Sequence, residues 1–210
     1  MIARRALLLA CAAGTARAAV PAGNRLAFQV FRNGSEVGSH VLEFTPGPDS
    51  LEVRIAVDIA IGIGPIKLFR YRMRGTEQWR GSQVMQADFT TDNNGTPAFM
   101  RARRDAEALV IEGSDAPRYV APPGALPATH WNPAEHEAAM VNPQNGKLFR
   151  PSVARSGPAP MPLPDGTSRP CRRFSLTGEP RLELWYDQAD TWCALSAPGK
   201  DGSTITYHRT

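Results

Sequence analysis

The chain lacks any apolar run long enough to cross a bilayer as a helix, which takes about 18 residues. Its longest such run, Ala6 to Ala13, has eight residues and follows Arg4-Arg5. Ala16-Arg17-Ala18 then supplies the small-residue pattern that a signal peptidase recognises. We therefore expect residues 1–18 to be a signal peptide cleaved after Ala18. The mature protein is expected to be periplasmic, exported by a bacterium, and free of transmembrane segments.

Cysteine is scarce, with three residues among 210, and cleavage after Ala18 removes Cys11. Lipidation at Cys11 is the alternative, but it would leave an apolar core shorter than the roughly seven residues of an export signal. Cys171 and Cys193 remain, in a compartment where a disulfide can persist. Strand alternation places them on opposite faces of strands separated by a third strand. We therefore expect two unpaired, partly buried thiols, an expectation that a β-bulge would reverse.

A large net charge of either sign is also missing. The formal charge of +4 falls to +1 once the three arginines of the signal peptide leave. Segments 70–74 and 101–104 are rich in arginine, but Phe69 and Tyr71 alternate with the arginines and so occupy the opposite face. A stacking platform for nucleic acid is therefore not formed. We expect a solvated outer face and no nucleic-acid partner, with an anionic headgroup or an envelope glycan as the alternative.

Helical periodicity is nearly absent, and period-two alternation dominates the chain. From Leu51 to Ile63, apolar residues occupy every second position through seven consecutive repeats. Asn33-Gly34 and Asn94-Gly95 are typical of hairpin turns. Short strands separated by turn signals predict an all-β fold over residues 19–210, as a single domain. The expected architecture is a curved antiparallel sheet or incomplete barrel, a β-clam or lipocalin-like meander.

Two segments depart from the strand pattern. Within residues 121–146, Asn132-Pro133 and Glu135 predict a loop with one short helix from about Pro133 to Met140, capped by the asparagine. Residues 156–170 are rich in proline and predict an extended loop.

Six short motifs follow one another along the chain. They are Glu77-Gln78-Trp79-Arg80-Gly81, Thr91-Asp92-Asn93-Asn94-Gly95, Trp131-Asn132-Pro133, Asn142-Pro143-Gln144-Asn145-Gly146, Leu184-Trp185-Tyr186-Asp187 and Asp201-Gly202-Ser203-Thr204-Ile205-Thr206-Tyr207. Their order and spacing resemble the bacterial family called domain of unknown function 6134, over about Leu26 to Tyr207. More distantly, the chain is similar to domain of unknown function 3108, a family of exported β-proteins of the cell envelope. The resemblance implies a curved periplasmic sheet or incomplete barrel, and it carries over no activity or catalytic residues.

His130 and His136, with Glu135 between them, are the strongest metal candidates in the sequence. Histidine ligands on one helix face are three or four residues apart, whereas these are six apart with a proline between them. We therefore interpret the segment as a cap and surface helix that closes one end of the sheet. No metal, cofactor or catalytic residue is predicted, and a Gly-x-Ser-x-Gly nucleophile motif is absent from the sequence.

The long strand Leu51–Ile63 presents more apolar surface than a compact core needs, which favours a binding role. Our leading hypothesis is a non-enzymatic periplasmic protein that holds an apolar or lipid-like envelope ligand on a concave β face. The candidate ligand-binding residues are His40, Phe44, Ile59, Ile61 and Trp131. Trp131 is expected to plug one end of the core. The alternatives are an envelope hydrolase or metal-dependent enzyme at His130 and His136, and a structural module that binds another envelope protein.

Overall fold

A computed structural model describes residues 20–63, 66–163, 166–199 and 201–210. The signal peptide predicted for residues 1–18, including Cys11, lies outside these ranges and stays a prediction. The strands are β1 Arg25–Arg32, β2 Ser35–Pro46, β3 Leu51–Ile63, β4 Ile66–Arg80, β5 Gln83–Asn93, β6 Thr96–Asp105, β7 Ala108–Gly113, β8 Ala116–Val120, β9 Leu126–Pro127, β10 Met140–Val141, β11 Leu148–Phe149, β12 Ser152–Pro162, β13 Ser168–Thr177, β14 Leu182–Tyr186, β15 Trp192–Pro198 and β16 Thr204–Arg209. Two 3₁₀ helices span Ala22–Asn24 and Pro133–Glu137.

Thirteen strands form one antiparallel sheet whose order is β12-β13-β14-β15-β16-β1-β2-β3-β4-β5-β6-β7-β8. Pairing between β1 and β16 joins an eight-stranded N-terminal meander to a five-stranded C-terminal one. Strands β12 and β8 are the two edges, so the sheet does not close into a barrel. The predicted all-β class and antiparallel, incomplete-barrel architecture are confirmed. In the described part of the chain, the helices are too short and too polar to cross a membrane.

The strand boundaries follow local chemistry. Asn33 and Gly34 have φ angles of 48° and 82°, and Asn94 and Gly95 have φ angles of 53° and 89°. These left-handed pairs form the tight turns that favour Asn-Gly, as the sequence predicted. In β3, every second side chain from Leu51 to Val57 is buried, so the long alternating run forms a wall of the core.

Residues 121–151, which we call the plug segment, pass from β8 to β12 across the inner face of the sheet. They contain the small sheet β11-β10-β9 and the 3₁₀ helix. Asn132 caps that helix because its Oδ1 accepts from the backbone N–H of Ala134 at 3.1 Å. The helix ends at Glu137 rather than near Met140, since Met140 and Val141 pair with neighbours as β10. The core therefore includes the plug segment as well as the sheet.

The proline-rich segment 156–170 forms strands at both ends, which corrects the predicted loop. Strand β12 continues to Pro162, and β13 begins at Ser168. Prolines are tolerated in β12 because it is an edge strand, where a missing N–H breaks no ladder on the open side. Pro170 lies beyond the stretch of β13 that pairs with β14, Arg172 to Leu176.

Cys171 and Cys193 are both buried and free, as expected. The prediction that they face opposite sides of the sheet is wrong, because both pack in a small cluster with Met161 and Trp185. A β-bulge between Trp185 and Tyr186 shifts the register and turns Cys193 to the same side as Cys171. The sulfur of Cys193 donates to the carbonyl of Thr191 at 3.3 Å, and burial raises the pKa of this thiol to about 11.

Gly113 packs directly against the backbone of the plug segment. A Cβ atom at this position would lie 2.1 Å from the carbonyl oxygen of Asn145 and 2.7 Å from Cα of Gly146. We expect Gly113→Ala to lower the free energy of unfolding by about 1–3 kcal/mol, because two backbones must separate. Gly157→Ala is the control, since a Cβ there meets nothing within 4 Å. Urea unfolding followed by circular dichroism measures both variants, and equal midpoints would contradict this packing.

Candidate functional site

Six polar side chains meet between the inner face of the sheet and the plug segment. We call this group the interior polar cluster, and its members are Glu77, Thr129, His130, Glu135, His136 and Tyr186. Strand β4 supplies Glu77, β14 supplies Tyr186, and the plug segment supplies the other four. Both histidines, with Glu135 between them, are the metal candidates predicted from the sequence.

Glu77 is completely buried and accepts three side-chain hydrogen bonds. Nε1 of Trp79 and Nε1 of Trp131 donate to Oε2 at 2.8 and 2.9 Å, and Oγ1 of Thr129 donates to Oε1 at 2.8 Å. Burial raises the pKa of Glu77 to about 7, although the three donors oppose this effect. Because Thr129 and Trp131 belong to the plug segment, this carboxyl group ties that segment to β4.

His130 and Glu135 form a doubly connected pair within the plug segment. Nδ1 of His130 lies 2.6 Å from Oε1 of Glu135, and the backbone N–H of His130 donates to Oε2 at 2.9 Å. The φ angle of His130 is 67°, a left-handed conformation that is uncommon outside glycine. The pair compensates for this backbone conformation by fixing both the ring and the peptide of His130.

His136 is held by Tyr186 and Phe174. The hydroxyl of Tyr186 donates to the carbonyl of His130 at 2.8 Å, so its oxygen accepts from Nε2 of His136 at 3.0 Å. The imidazole stacks on Phe174 with ring centroids 4.3 Å apart. Burial lowers the pKa of His136 to about 4, which favours the neutral ring.

These contacts change the interpretation of the His130–His136 segment. Glu135 and His136 are only 1% and 7% exposed, whereas Ala134 and Glu137 are exposed, so this helix lies at the surface and buries one side against the sheet. On the buried side, Glu135 pairs with His130, and Nε2 of His136 meets the hydroxyl of Tyr186. Across the described ranges, no three His, Cys, Asp or Glu side chains are grouped so that they could hold a metal ion.

His40 lies beside the cluster and is 5% exposed. Its ring contacts Trp192 and Tyr207 edge-on, with centroids 5.3 and 5.7 Å apart, and lies 6.1 Å from the ring of Phe28. Neither ring nitrogen has a hydrogen-bond partner in the part of the chain that the structure describes. Burial lowers the pKa of His40 to about 3, and the proximity of His130 contributes. A neutral imidazole of this kind can both donate and accept one hydrogen bond.

The other four predicted ligand-binding residues fall into two groups. Phe44 and Trp131 are 4% and 3% exposed and pack against each other, with ring centroids 5.3 Å apart. Ile59 and Ile61 are half-buried near the end of β3. The plug segment therefore covers the inner face at Phe44, whereas Ile59 and Ile61 keep partly exposed apolar surface.

At that end, the inner face of the sheet extends from Ile59 and Tyr71, which pack against the edge of the core, to Ile61 and Phe69 beyond it. Ile59 lies opposite Tyr71, and Ile61 lies opposite Phe69, on β4. All four side chains are half-buried. We call them the apolar ladder. His40 pairs with Val57 across β2 and β3, and Ile59 is the next residue of β3 on the same face. The apolar ladder therefore begins beside the imidazole of His40, which has no hydrogen-bond partner among the described residues.

Sequence reasoning missed Glu77 and Tyr186, although both belong to the motifs quoted above. Glu77 and Trp79 belong to the first motif, Trp131 to the third and Tyr186 to the fifth. The fold brings these three motifs together in the interior. The sequence did contain a sign that Glu77 is buried. Glu77 lies an even number of residues after Met73 on β4, so the two side chains point to the same, buried face. A carboxyl group at an inward position requires donors, and the tryptophans of two motifs are those donors.

Comparisons with known proteins agree with the fold. No curated protein matches the sequence. A crystal structure of a β-barrel-like protein of domain of unknown function DUF1849 from Brucella abortus is similar, with a TM-score of 0.58 and 8% identity. The match covers 89% of this chain and 95% of that chain, and at this identity it concerns the fold alone. The family model for the domain of unknown function DUF6134 matches residues 28–210, which confirms the resemblance seen in the six motifs, and the chain therefore belongs to this family.

Proposed function

We propose that this protein is an exported, non-catalytic binding protein of the bacterial cell envelope whose ligand is apolar and lipid-like. The proposed ligand lies along the apolar ladder of Ile59, Ile61, Phe69 and Tyr71, with its polar end towards His40. The observation that carries the proposal is the continuation of the apolar inner face beyond the core, where side chains of β3 and β4 stay half-buried. Exposed apolar surface next to a few polar groups is typical of ligand sites.

Two further observations support this proposal. Export is supported by the signal-like residues 1–18. A non-catalytic role is supported by the interior polar cluster, in which Trp79, Trp131 and Thr129 engage Glu77, His130 engages Glu135, and His136 engages the Tyr186 hydroxyl. Such a network holds the plug segment in place, which gives these residues a structural role.

The binding test uses 1-N-phenylnaphthylamine, a dye whose fluorescence rises in apolar surroundings, with oleic acid as the competing ligand. We expect Ile61→Ser to weaken oleic acid binding about tenfold, which corresponds to roughly 1.4 kcal/mol of lost apolar burial. Leu68→Ser is the matched control. Leu68 lies on the neighbouring strand of the same hairpin but is 59% exposed, so its replacement should leave binding unchanged.

Circular dichroism verifies that both variants keep the fold of the parent protein. If neither the dye nor oleic acid binds at micromolar concentrations, or if both variants lose affinity equally, the apolar-ligand proposal is wrong. Native mass spectrometry of protein purified from the periplasm, followed by organic extraction, identifies a ligand that the protein carries from the cell.

A further inference from the structure

A groove of about 570 Å³ crosses the outer face of the sheet, opposite the plug segment. Two adjacent cross-strand rows, each with one residue from every strand from β2 to β6, line it. The first row contains Val41, Ala56, Arg74, Thr90 and Phe99. The second row contains Glu43, Arg54, Thr76, Asp88 and Arg101. The groove therefore runs perpendicular to the strands.

The shape of the groove follows from side-chain size. Ala56, Thr76 and Thr90 form a low floor in the middle, and the longer arginines rise at its sides. Five strands at a spacing of about 4.8 Å give a length of about 19 Å. A site of this length and modest volume fits a single elongated chain better than a compact ligand.

The central arginine is fixed in place before any ligand binds. Nη1 of Arg74 donates to the carbonyls of Val57 and Met73 at 2.9 Å each, and Nη2 donates to Asp58 at 2.6 Å. Asp58 also pairs with Arg72 at 3.3 Å, so one carboxylate serves two guanidinium groups. Arg72 and Arg74 together therefore carry one positive charge more than Asp58 neutralises, and the Arg74 guanidinium is already held in position.

Arg101, at the β6 end, has different surroundings. Its guanidinium lies 5.1 Å from the centroid of the Phe99 ring, a cation–π contact. Its cross-strand neighbour Asp88 is engaged by Arg103 at 2.8 Å and by Gln86 at 2.9 Å. Among the residues that the structure describes, no carboxylate lies within ion-pair distance of Arg101. The end of the groove thus combines an aromatic face with an available cation.

We propose that this outer groove binds an acidic glycan, a site additional to the apolar-ligand site on the inner face. The backbone groups of β3, β4 and β5 are used in the sheet ladder, so the groove cannot extend the sheet with a peptide strand. Arginine forks, carboxylates and threonine hydroxyls suit the vicinal hydroxyls of sugars, and the half-buried Phe99 ring, with Arg101 over it, adds an apolar edge for a sugar ring. Arg74 and Arg101 suit carboxylate groups. The groove length of about 19 Å, set by the spacing of five strands, suits a short oligosaccharide.

The test measures binding of tetragalacturonic acid by isothermal titration calorimetry, with cellotetraose as the neutral glycan and a mixed-charge hexapeptide as the peptide. We expect the acidic tetrasaccharide to bind more tightly than either of the others. Arg101→Gln should weaken it about tenfold. Arg118→Gln removes the same charge from an exposed position on β8, outside the groove, and should leave affinity unchanged.

A second variant tests the position of the glycan independently of charge. Thr90→Trp fills the floor from an exposed position, so it should abolish glycan binding without altering the unfolding midpoint. Ile61→Ser should leave glycan binding intact, which separates this site from the apolar ladder. The proposal is overturned if the hexapeptide binds and the acidic glycan does not. It is also overturned if Arg118→Gln weakens binding as much as Arg101→Gln, or if no glycan binds at millimolar concentration.

Discussion

Replacement of Trp131 with alanine is expected to lower the free energy of unfolding by about 3–5 kcal/mol, the usual cost of removing a buried large aromatic ring. The ring is 3% exposed and lies edge-on to Phe44 and Trp79, with centroids 5.3 and 5.2 Å away. Its Nε1 also donates to the buried carboxyl group of Glu77 at 2.9 Å. The substitution therefore opens a cavity and removes one of three donors from a buried acceptor.

Two further variants separate these contributions. Trp131→Phe keeps most of the ring volume but removes the N–H donor, and we expect it to cost about 1–3 kcal/mol. Leu148→Ala is the control within the plug segment, because Leu148 is 38% exposed and should cost less than 1 kcal/mol. Urea unfolding followed by far-ultraviolet circular dichroism gives all three values. A loss below 1 kcal/mol for Trp131→Ala would show that the plug segment is not part of the cooperative core.

The sheet could be predicted because its signals are local. Alternation in β3 and the Asn-Gly turns depend on residues that are adjacent in sequence, so one strand or hairpin at a time could be recognised. In β4 the alternation runs from Ile66 to Arg74 and is then interrupted by Gly75, so the pattern predicts an end at Arg74, although the strand continues to Arg80. Gly75 resembles a strand breaker, but its missing side chain is what makes room for the ring of Phe89. That error hid Glu77 from the predicted core.

The interior could not be predicted because its contacts join distant parts of the chain. Glu77 receives hydrogen bonds from residues 52 and 54 positions later, and Tyr186 meets His136 across 50 positions. The local sequence around each of these residues gives no indication of the distant residue that it contacts. The same limit explains why the concave face was expected to be available to a ligand. Trp131 lies near one end of the core, beside Ser50, Gly81 and Ser82, but it also covers the inner face at Phe44 and Trp79.

Glu77→Gln is expected to change how the stability of the protein depends on pH. Burial raises the pKa of Glu77 from 4.5 to about 7 in the folded protein. The folded state therefore binds this proton more tightly than the unfolded state does. The resulting stabilisation is fully present below pH 4.5 and is lost as the pH rises to about 7. Since one pKa unit corresponds to about 1.4 kcal/mol, the loss amounts to about 3 kcal/mol.

Two histidines act in the opposite direction over part of this range. Burial lowers the pKa of His40 to about 3 and that of His136 to about 4, both from 6.5. Their stabilising contribution is therefore present above pH 6.5 and is lost as the pH falls towards these values. In the parent protein, the free energy of unfolding would therefore change less with pH between 4.5 and 6.5, because the contributions of Glu77 and of the two histidines oppose each other.

Comparing the variant with the parent at each pH cancels the histidine contribution. Glutamine has no proton to lose, so the stability of Glu77→Gln relative to the parent should rise by about 3 kcal/mol between pH 4.5 and 8. Urea unfolding at half-unit pH intervals measures this difference. Glu43→Gln is the control, because it makes the same substitution at an exposed position on the outer face. A difference for Glu77→Gln that does not change with pH would mean that the Trp79, Trp131 and Thr129 donors hold this carboxyl group ionised at its ordinary pKa.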